Sequence, residues 1–447
     1  MHVIVVGGGE IGFALAQALA AQHQVFVIDQ EPQVGDRFES IDVQFLLGSA
    51  TSADLLTRAG VAKADVLIAC TGLDEVNIVA CALANRLGSP RTYCFVSRQE
   101  FLDLDQHAKG LAQFGIRRVI WPEAQLAASI ERIVLAPGAV DAEVFAEGAV
   151  HLLEYRLDAG SPLIERRLAD LQLPHGALIV AVRRGDGVFV PRGDSRLAEG
   201  DKAVVMGLPE ALAEVGRRVT AGESNQRQRV TIVGGGDVGL RLAERLEASA
   251  SIDLTIIERD QSRGELLASR LHRTLVLNGD GTDLELLESE DIGRSDVLVS
   301  VIDNDERNLL TSLLGRQLGA RRVITRVGRR SNLRLFERVG IDVAISARGA
   351  AVASLLNEVE GGAARLLAVV EEGAGRVLEL DVPAEFRSRA LRDMPAAPGS
   401  IVGAIVRGGA AIVPGGGDHI HAGDRLIVFT TEAAAGHARD IFTGVRE

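Results

Sequence analysis

Lysine is nearly missing from this chain of 447 residues: only Lys63, Lys109 and Lys202 occur, and the rest of its 48 basic residues are arginine. None of the three stands beside a strand end or a glycine loop, and the spacing G-x-x-x-x-G-K-[ST] is absent. Both facts argue against lysine catalysis and against a P-loop kinase or ATPase. Cysteine is equally scarce. Cys70, Cys81 and Cys94 have no metal-type spacing and fit a reducing compartment, and Cys70, closing the apolar run Val66-Leu67-Ile68-Ala69, reads as a small buried side chain. Hydrophobic residues make up 47% of the chain, yet no apolar run nears the roughly 18 residues of a membrane span. No cationic leader with an apolar core and cleavage site opens the sequence, so a cytoplasmic location is expected. Positive charge is in deficit too. A net charge of −13 argues against nucleic acid or an anionic membrane surface as a direct partner.

Glycine, by contrast, is placed with purpose. Within residues 1–29 an apolar strand, Val3 to Val6, runs into Gly7-Gly8-Gly9-Glu10-Ile11-Gly12, an Ala/Leu-rich helix follows, and a second strand ends on Asp29. In G-x-G-x-x-G the first glycine permits the tight turn, the second lets a pyrophosphate approach the backbone, and the third lets helix and strand pack closely. The helix start, with free N–H groups and a positive dipole end, faces the phosphates. Asp29, 22 residues after Gly7, is placed to accept hydrogen bonds from ribose hydroxyls. The unit then recurs 227 residues on, with Gly234-Gly235-Gly236-Asp237-Val238-Gly239 in the loop and Glu258 at the second strand end.

Further landmarks repeat in order. Gly48-Ser49-Ala50-Thr51 is echoed by Gly279-Asp280-Gly281-Thr282, Ala64-Asp65-Val66-Leu67 by Ser295-Asp296-Val297-Leu298, and Asp74-Glu75-x-Asn77 by Asp305-Glu306-x-Asn308. Phe95-Val96-Ser97-Arg98 is matched by Val323-Ile324-Thr325-Arg326. Apolar strands alternating with helical stretches of this kind predict an α/β fold, two Rossmann-like doubly wound parallel sheets. Residues 176–207 align without gaps on 399–430 and carry short β-type runs cut by Gly, Pro and Asp, which predicts a small α+β domain after each sheet. The expected plan is a first nucleotide-binding domain at 1–140, a small domain at 141–222, a polar linker at 223–229, a second nucleotide-binding domain at 230–362 and a second small domain at 363–447. A surface helix is expected after Trp121-Pro122 and after Ser346-Ala347.

Ligands of such sheets sit beyond the strand C-termini, where Asp29, Ser49, Ala50, Thr51, Thr71 and Arg98 fall in the first half and Glu258, Asp280, Gly281 and Arg326 in the second. Each arginine reads either as a forked phosphate donor or as a solvated surface side chain. Asp74-Glu75 and Asp305-Glu306 read as helix-start acids. His419-x-His421 reads as a solvated turn, because no third metal ligand is evident. No catalytic constellation and no metal site emerge. An NAD-dependent oxidoreductase with duplicated Rossmann units stays as the alternative, resting on the fingerprint alone.

Taken in order, the glycine loop, strand-end acid, Gly-Ser/Asp-x-Thr turn, Ala/Ser-Asp-Val-Leu, Asp-Glu-x-Asn and strand-end arginine resemble the nucleotide-binding regulator-of-potassium-conductance (RCK) domain. Two such domains, each followed by a small domain, resemble the peripheral subunits of the bacterial Trk potassium-uptake system. The resemblance extends through Ile120-Trp121-Pro122-Glu123 and the helix after it, which in the family crosses to the partner domain. It implies NAD(H) as ligand, with ATP or ADP bound in the same sites, the ribose acid falling on Asp29 and Glu258 and the strand-end arginine on Arg98 and Arg326. It also implies a ring-forming homo-oligomer, a tetramer, docked at the inner face of the membrane on a potassium-translocating subunit that it gates. Two departures stand out: Ser49 lies where the second half has Asp280, and Thr71 aligns with Ile302. The two sites need not bind the same nucleotide.

Overall fold

A computed structural model describes residues 1–447 except 21, 89, 107–109, 186, 220–226, 329–331, 360–363, 371–373, 396 and 444–447. Most of the expected linker 223–229 lies outside the described residues. Those described fall into two compact units. One comprises residues 1–126, 327–333 and 345–359; the other comprises 127–326, 334–344 and 360–447.

The first unit is built on a six-stranded sheet of β1 (His2–Val6), β2 (Gln24–Asp29), β3 (Gln44–Leu47), β4 (Val66–Ala69), β5 (Arg91–Phe95) and β6 (Arg118–Ile120), in the order β3-β2-β1-β4-β5-β6. All its pairings are parallel. Helices cover both faces, so the central strands must be apolar on both sides, and Val3 to Val6 are fully buried. The strand order reverses beside β1, which makes the β1–β4 edge the topological switch point. One face is filled by Leu15, Leu19 and Val27 and closed by a helix from far along the chain, Ala347–Val359, through Ala351, Val352, Leu355, Leu356 and Val359. Glu358 of that helix pairs with Arg118 of β6. The expectation of a surface helix is therefore corrected: five apolar side chains at helical spacing make this one part of a core.

In the second unit β7 (Ala139–Phe145), β8 (Val150–Arg156), β9 (Ala177–Arg184), β10 (Gly187–Phe189) and β11 (Lys202–Gly207) form a five-stranded antiparallel sheet, β10-β9-β11-β8-β7. The second parallel sheet uses β12 (Gln228–Val233), β13 (Ile252–Glu258), β14 (Leu275–Asn278), β15 (Val297–Ser300), β16 (Arg322–Arg326) and β17 (Val343–Ile345), in the order β14-β13-β12-β15-β16-β17. Even the register repeats: Val3 stands opposite Val25 and Val66, and Val230 opposite Leu254 and Val297. The helix Pro122–Leu135, again expected at the surface, buries Ile130, Ile133 and Val134. Its C-terminal end is capped from β16, where the Arg322 guanidinium donates to Ile133 O at 2.7 Å in the helix and to Ala136 O at 3.0 Å and Ala139 O at 3.1 Å in the chain just after it. A cation at a helix C-terminus satisfies orphan carbonyls and opposes the dipole.

The last sheet holds β18 (Ala364–Val370), β19 (Gly375–Asp381), β21 (Ser400–Arg407), β22 (Ala410–Ile412) and β24 (Arg425–Thr431), ordered β18-β19-β24-β21-β22, with β20 (Arg389–Ala390) and β23 (His419–Ile420) paired beside it. His419 thus sits on a short strand rather than in the expected turn. The two small domains share one core, with Leu152, Val204 and Met206 of the first against Val377, Ala404 and Phe429 of the second. A Cβ on Gly403 would stand 2.3 Å from Met206 Sδ, so glycine is what lets the two sheets close. Each small domain carries the same bolt. Arg184 donates through Nε and Nη2 to Asp201 at 2.8 and 2.7 Å, and Arg407 does so to Asp424 at 2.7 Å from both atoms. Burial alone would raise both carboxyl pKa values, but the arginine bonds outweigh it and hold them below the ordinary value.

Candidate nucleotide sites at the strand ends

At the C-terminal end of β1, Gly7 takes φ +100°, a conformation that side chains rarely adopt, and Gly234 takes φ +106° after β12. The third glycine of each loop is fixed by space. A Cβ on Gly12 would lie 1.8 Å from Gly7 O, and one on Gly239 would lie 1.9 Å from Gly234 O. The middle glycines differ: beyond Gly9 and Gly236 a Cβ would meet nothing within 4 Å. That free space lies over the loop at the start of the helices Glu10–Ala20 and Asp237–Glu247, where a diphosphate approaches the backbone.

The strand-end acids hold the loops. Asp29 Oδ2 accepts from Gly8 N at 2.6 Å and Oδ1 from Glu31 N at 2.8 Å. Glu258 Oε2 accepts from Gly235 N at 2.6 Å and Oε1 from Asp260 N at 2.8 Å. Each carboxylate stands beside its glycine loop, with lone pairs to spare for ribose hydroxyls. Behind the first loop Cys70 is buried, its thiol pushed up to about 12 by desolvation and by Asp29, so it stays protonated and donates to Gly7 O at 3.7 Å.

Ser49, Ala50 and Thr51 form the turn after β3. Ser49 Oγ lies 2.8 Å from Thr51 Oγ1 and accepts from Thr51 N at 3.3 Å. Asp280 does the same work in the second half, accepting from Thr282 N at 2.9 Å and Thr282 Oγ1 at 2.7 Å. It also takes Arg307 Nη2 at 2.5 Å. Burial opposes its charge, but the Thr282 and Arg307 bonds win and keep its pKa below the usual carboxylate value. Gly281 is pressed so close to β12 that a Cβ would lie 2.0 Å from Val233 Cγ1.

Residues beyond the expected set brace these ends. Asn77, fully buried, accepts from Thr71 N at 2.9 Å and Thr71 Oγ1 at 2.7 Å, and donates to Thr71 O at 3.1 Å and Phe95 O at 3.0 Å. It ties the end of β4 to the end of β5. Asn308 repeats the brace through Ile302 N and O and Arg326 O, with Ser300 Oγ supplying the hydroxyl that Ile302 lacks. Asp74 is more than a helix-start acid. Its carboxylate, 5% exposed, accepts from Ser97 N, Ser97 Oγ and Arg98 N, fixing the loop after β5. Arg98 itself is half exposed, stacked 4.6 Å over Phe101 and paired with Glu75 and, at 3.0 Å, with Glu100. Arg326 Nη2 bonds Asp303 Oδ1 at 2.8 Å. The repeated Asp-Glu-x-Asn motif was the signal for the braces; Arg263 and Arg307, both at the second loop, carry no repeated signal because the first half lacks them.

Lys202 opens β11, at a strand start, and is neutralised by the buried Glu154 at 3.1 Å. Among the described residues no three His, Cys, Asp or Glu side chains are grouped as metal ligands, and no helix is long and apolar enough to cross a membrane.

The TrkA-N domain model matches residues 3–122 and 230–347, and the TrkA-C domain model matches 152–220 and 377–443. The chain is 36% identical over 451 residues to the Trk system potassium uptake protein TrkA homolog 1 of Methanosarcina mazei, spanning 99% of this chain and 100% of that protein. It is 30% identical over 443 residues to the Trk system potassium uptake protein TrkA of Azorhizobium caulinodans, spanning 96% of each. Among solved structures the GsuK RCK domain superposes with a TM-score of 0.60 at 20% identity, covering 99% of this chain and 94% of that one. A GsuK channel bound to NAD gives 0.59 at 19%, covering 100% and 79%. These two likenesses carry the fold.

Proposed function

We propose, from the premise that this chain belongs to the TrkA family of Trk potassium uptake proteins, that it is an NAD(H)-binding regulatory subunit which docks on a membrane potassium-translocating partner and gates it. The observation that carries the reading is the duplicated geometry of loop and acid, Gly8 N on Asp29 and Gly235 N on Glu258, each beside open space over a middle glycine. The residues fit the ligand. Gly7 to Gly12 would cradle the pyrophosphate, Asp29 the ribose, and the Ser49, Ala50, Thr51 turn with Thr71 and Arg98 the remainder. Gly234 to Gly239, Glu258, Asp280, Gly281 and Arg326 would hold an adenine nucleotide, NAD(H) or ATP/ADP, in the second half. NAD(H) is here a signal, not a reagent. The oxidoreductase alternative has no counterpart among these relatives, whose names are those of potassium uptake proteins.

Gating follows from linkage. A nucleotide shifts a conformational equilibrium only if it binds the two states unequally. The chain acts at the cytoplasmic face of the membrane, as a closed ring of four copies. The test is potassium flux through the reconstituted partner with NADH, NAD or ATP, comparing the unmodified chain with Gly12→Val and Gly239→Val. Each variant should lose the part of the response owed to its own loop. If both fold, lose local binding and still give the full response, the chain is a passive scaffold and the gating reading fails.

A further inference from the structure

The two loops have the same backbone and different charge. Beside the second loop Arg263 Nε donates to Gly235 O at 2.8 Å, and its Nη2 to Asp237 Oδ1 at 3.0 Å. The helix that carries it, Gln261–Arg270, starts immediately after the Glu258 turn, with Asp260 accepting from Arg263 N at 2.7 Å. On the switch-point side stands Arg307, in the first turn of the helix Asp305–Leu318, bonded to Asp280, whose turn is packed on Val233 just before the loop. Arg307 Nε is buried and, among the described residues, has no hydrogen-bond acceptor. One guanidinium group thus sits on the glycine loop, and a second on the turn packed against the strand that leads into it.

Neither arginine has a counterpart in the first half of the sequence. By the internal repeat Arg307 corresponds to Val76 and Asp280 to Ser49. The segment after Asp29 folds as a shorter helix, Pro32–Gly35, and lays Val34 and Phe38 against Gly8. Its one base, Arg37, is stacked 4.8 Å over the Phe13 ring. In the second half Leu267 covers Gly235, which leaves position 263 free for an arginine. Arg259 adds a further positive charge where the first half has Gln30.

We infer that the second site takes a nucleotide carrying more phosphate charge than the ligand of the first: an adenosine polyphosphate beside Glu258, against a dinucleotide beside Asp29. The inference rests on reading both loops as nucleotide sites. The Arg263–Asp237 pair is partly solvent-exposed, at 30% and 52%, so opening it costs little. A phosphate then offers the guanidinium a bidentate, charge-assisted partner that a carboxylate at the edge of solvent does not equal. Arg307 already has a donor to spare. The first site lacks both arginines and presents the apolar Val34 and Phe38 beside its loop.

The test is calorimetry on the full chain with ATP, NADH and NADPH as probes. In the unmodified protein, ATP and NADH should fill one site each per chain without competing. Gly12→Val, which closes the first site, should leave ATP binding at least tenfold tighter than NADH, and Gly239→Val should reverse that order. Arg263→Leu and Arg307→Leu should each cost tenfold or more in ATP affinity and leave NADH within about twofold. Full competition between ATP and NADH at both sites, or arginine variants with unchanged ATP affinity, overturns the inference while the nucleotide reading stands. NADPH outcompeting ATP at the second site also overturns it, because the added phosphate would then be a ribose 2′-phosphate. Binding of no adenine nucleotide by the unmodified, folded chain overturns the nucleotide reading itself.

Discussion

Asn77 shows how much one buried amide does. Replacing it with Ala takes this partner from Thr71 N–H and Thr71 O and leaves Phe95 O with only the weak Cys94 Sγ donor, at about 1–3 kcal/mol for each buried group left unpaired. The Asn77→Ala protein should therefore melt well below the unmodified chain in a thermal scan, and Asn308→Ala likewise. Gly12→Val is a different kind of change. Its Cβ would overlap Gly7 O, so the loop must move, and NADH binding at the first site should disappear from a calorimetric titration while the second site still binds. Asp29→Ala leaves the loop room but removes the acid, and a loss of about 1.5–3 kcal/mol in NADH binding is expected for one charge-assisted bond. Glycines and strand-end acids were legible because their steric and donor requirements are local and leave a spacing behind. Asn77 was visible only as part of a repeated string, since its partners lie on two different strand ends. Arg263 and Arg307 left no pattern at all: each acts once, through a neighbour that only the folded chain supplies.

At the level of elements, the two Rossmann-like parallel sheets followed from alternating apolar runs and from the repeat; their strand orders did not. Nor did the helices 122–135 and 347–359. Amphipathic periodicity says that a helix has an apolar face, not which core receives it. Leu355 is a direct probe of that assignment. It lies 1% exposed in the core that also holds Val3 and Leu15, so Leu355→Ala should cost about 2–5 kcal/mol. Hydrogen exchange should show the loss in β1 and β2, more than 300 residues away in sequence. If exchange quickens only in residues 230–345, the helix does not close the first sheet. The paired bolts of the small domains give a pH signature. Asp201 and Asp424 have folded-state pKa values below the ordinary 3.8, so the folded state binds fewer protons than the unfolded chain. Their stabilisation is complete above that value and is lost as pH falls through the lower, folded-state one. Acid titration of the melting temperature should thus drop more steeply for the unmodified chain than for an Asp201→Asn, Asp424→Asn double variant.

For the molecule as a whole, duplication has already produced inside one chain what symmetry produces between chains. Two small domains are joined through one core, and that internal pairing covers these sheet faces within the chain. Closure of the proposed ring must then use other faces. Light scattering at micromolar concentration should give a mass of four chains, and a monomer would count heavily against the ring. The borrowed helix also sets a clock. The first sheet is complete in sequence by residue 120, yet the helix that covers one of its faces begins at residue 347. A ribosome adding about 5–20 residues per second needs roughly 10–45 s to supply it. For that interval the nascent chain carries an open apolar face, which makes the newborn N-terminal half a client for chaperones and gives truncated messages a product that cannot finish folding.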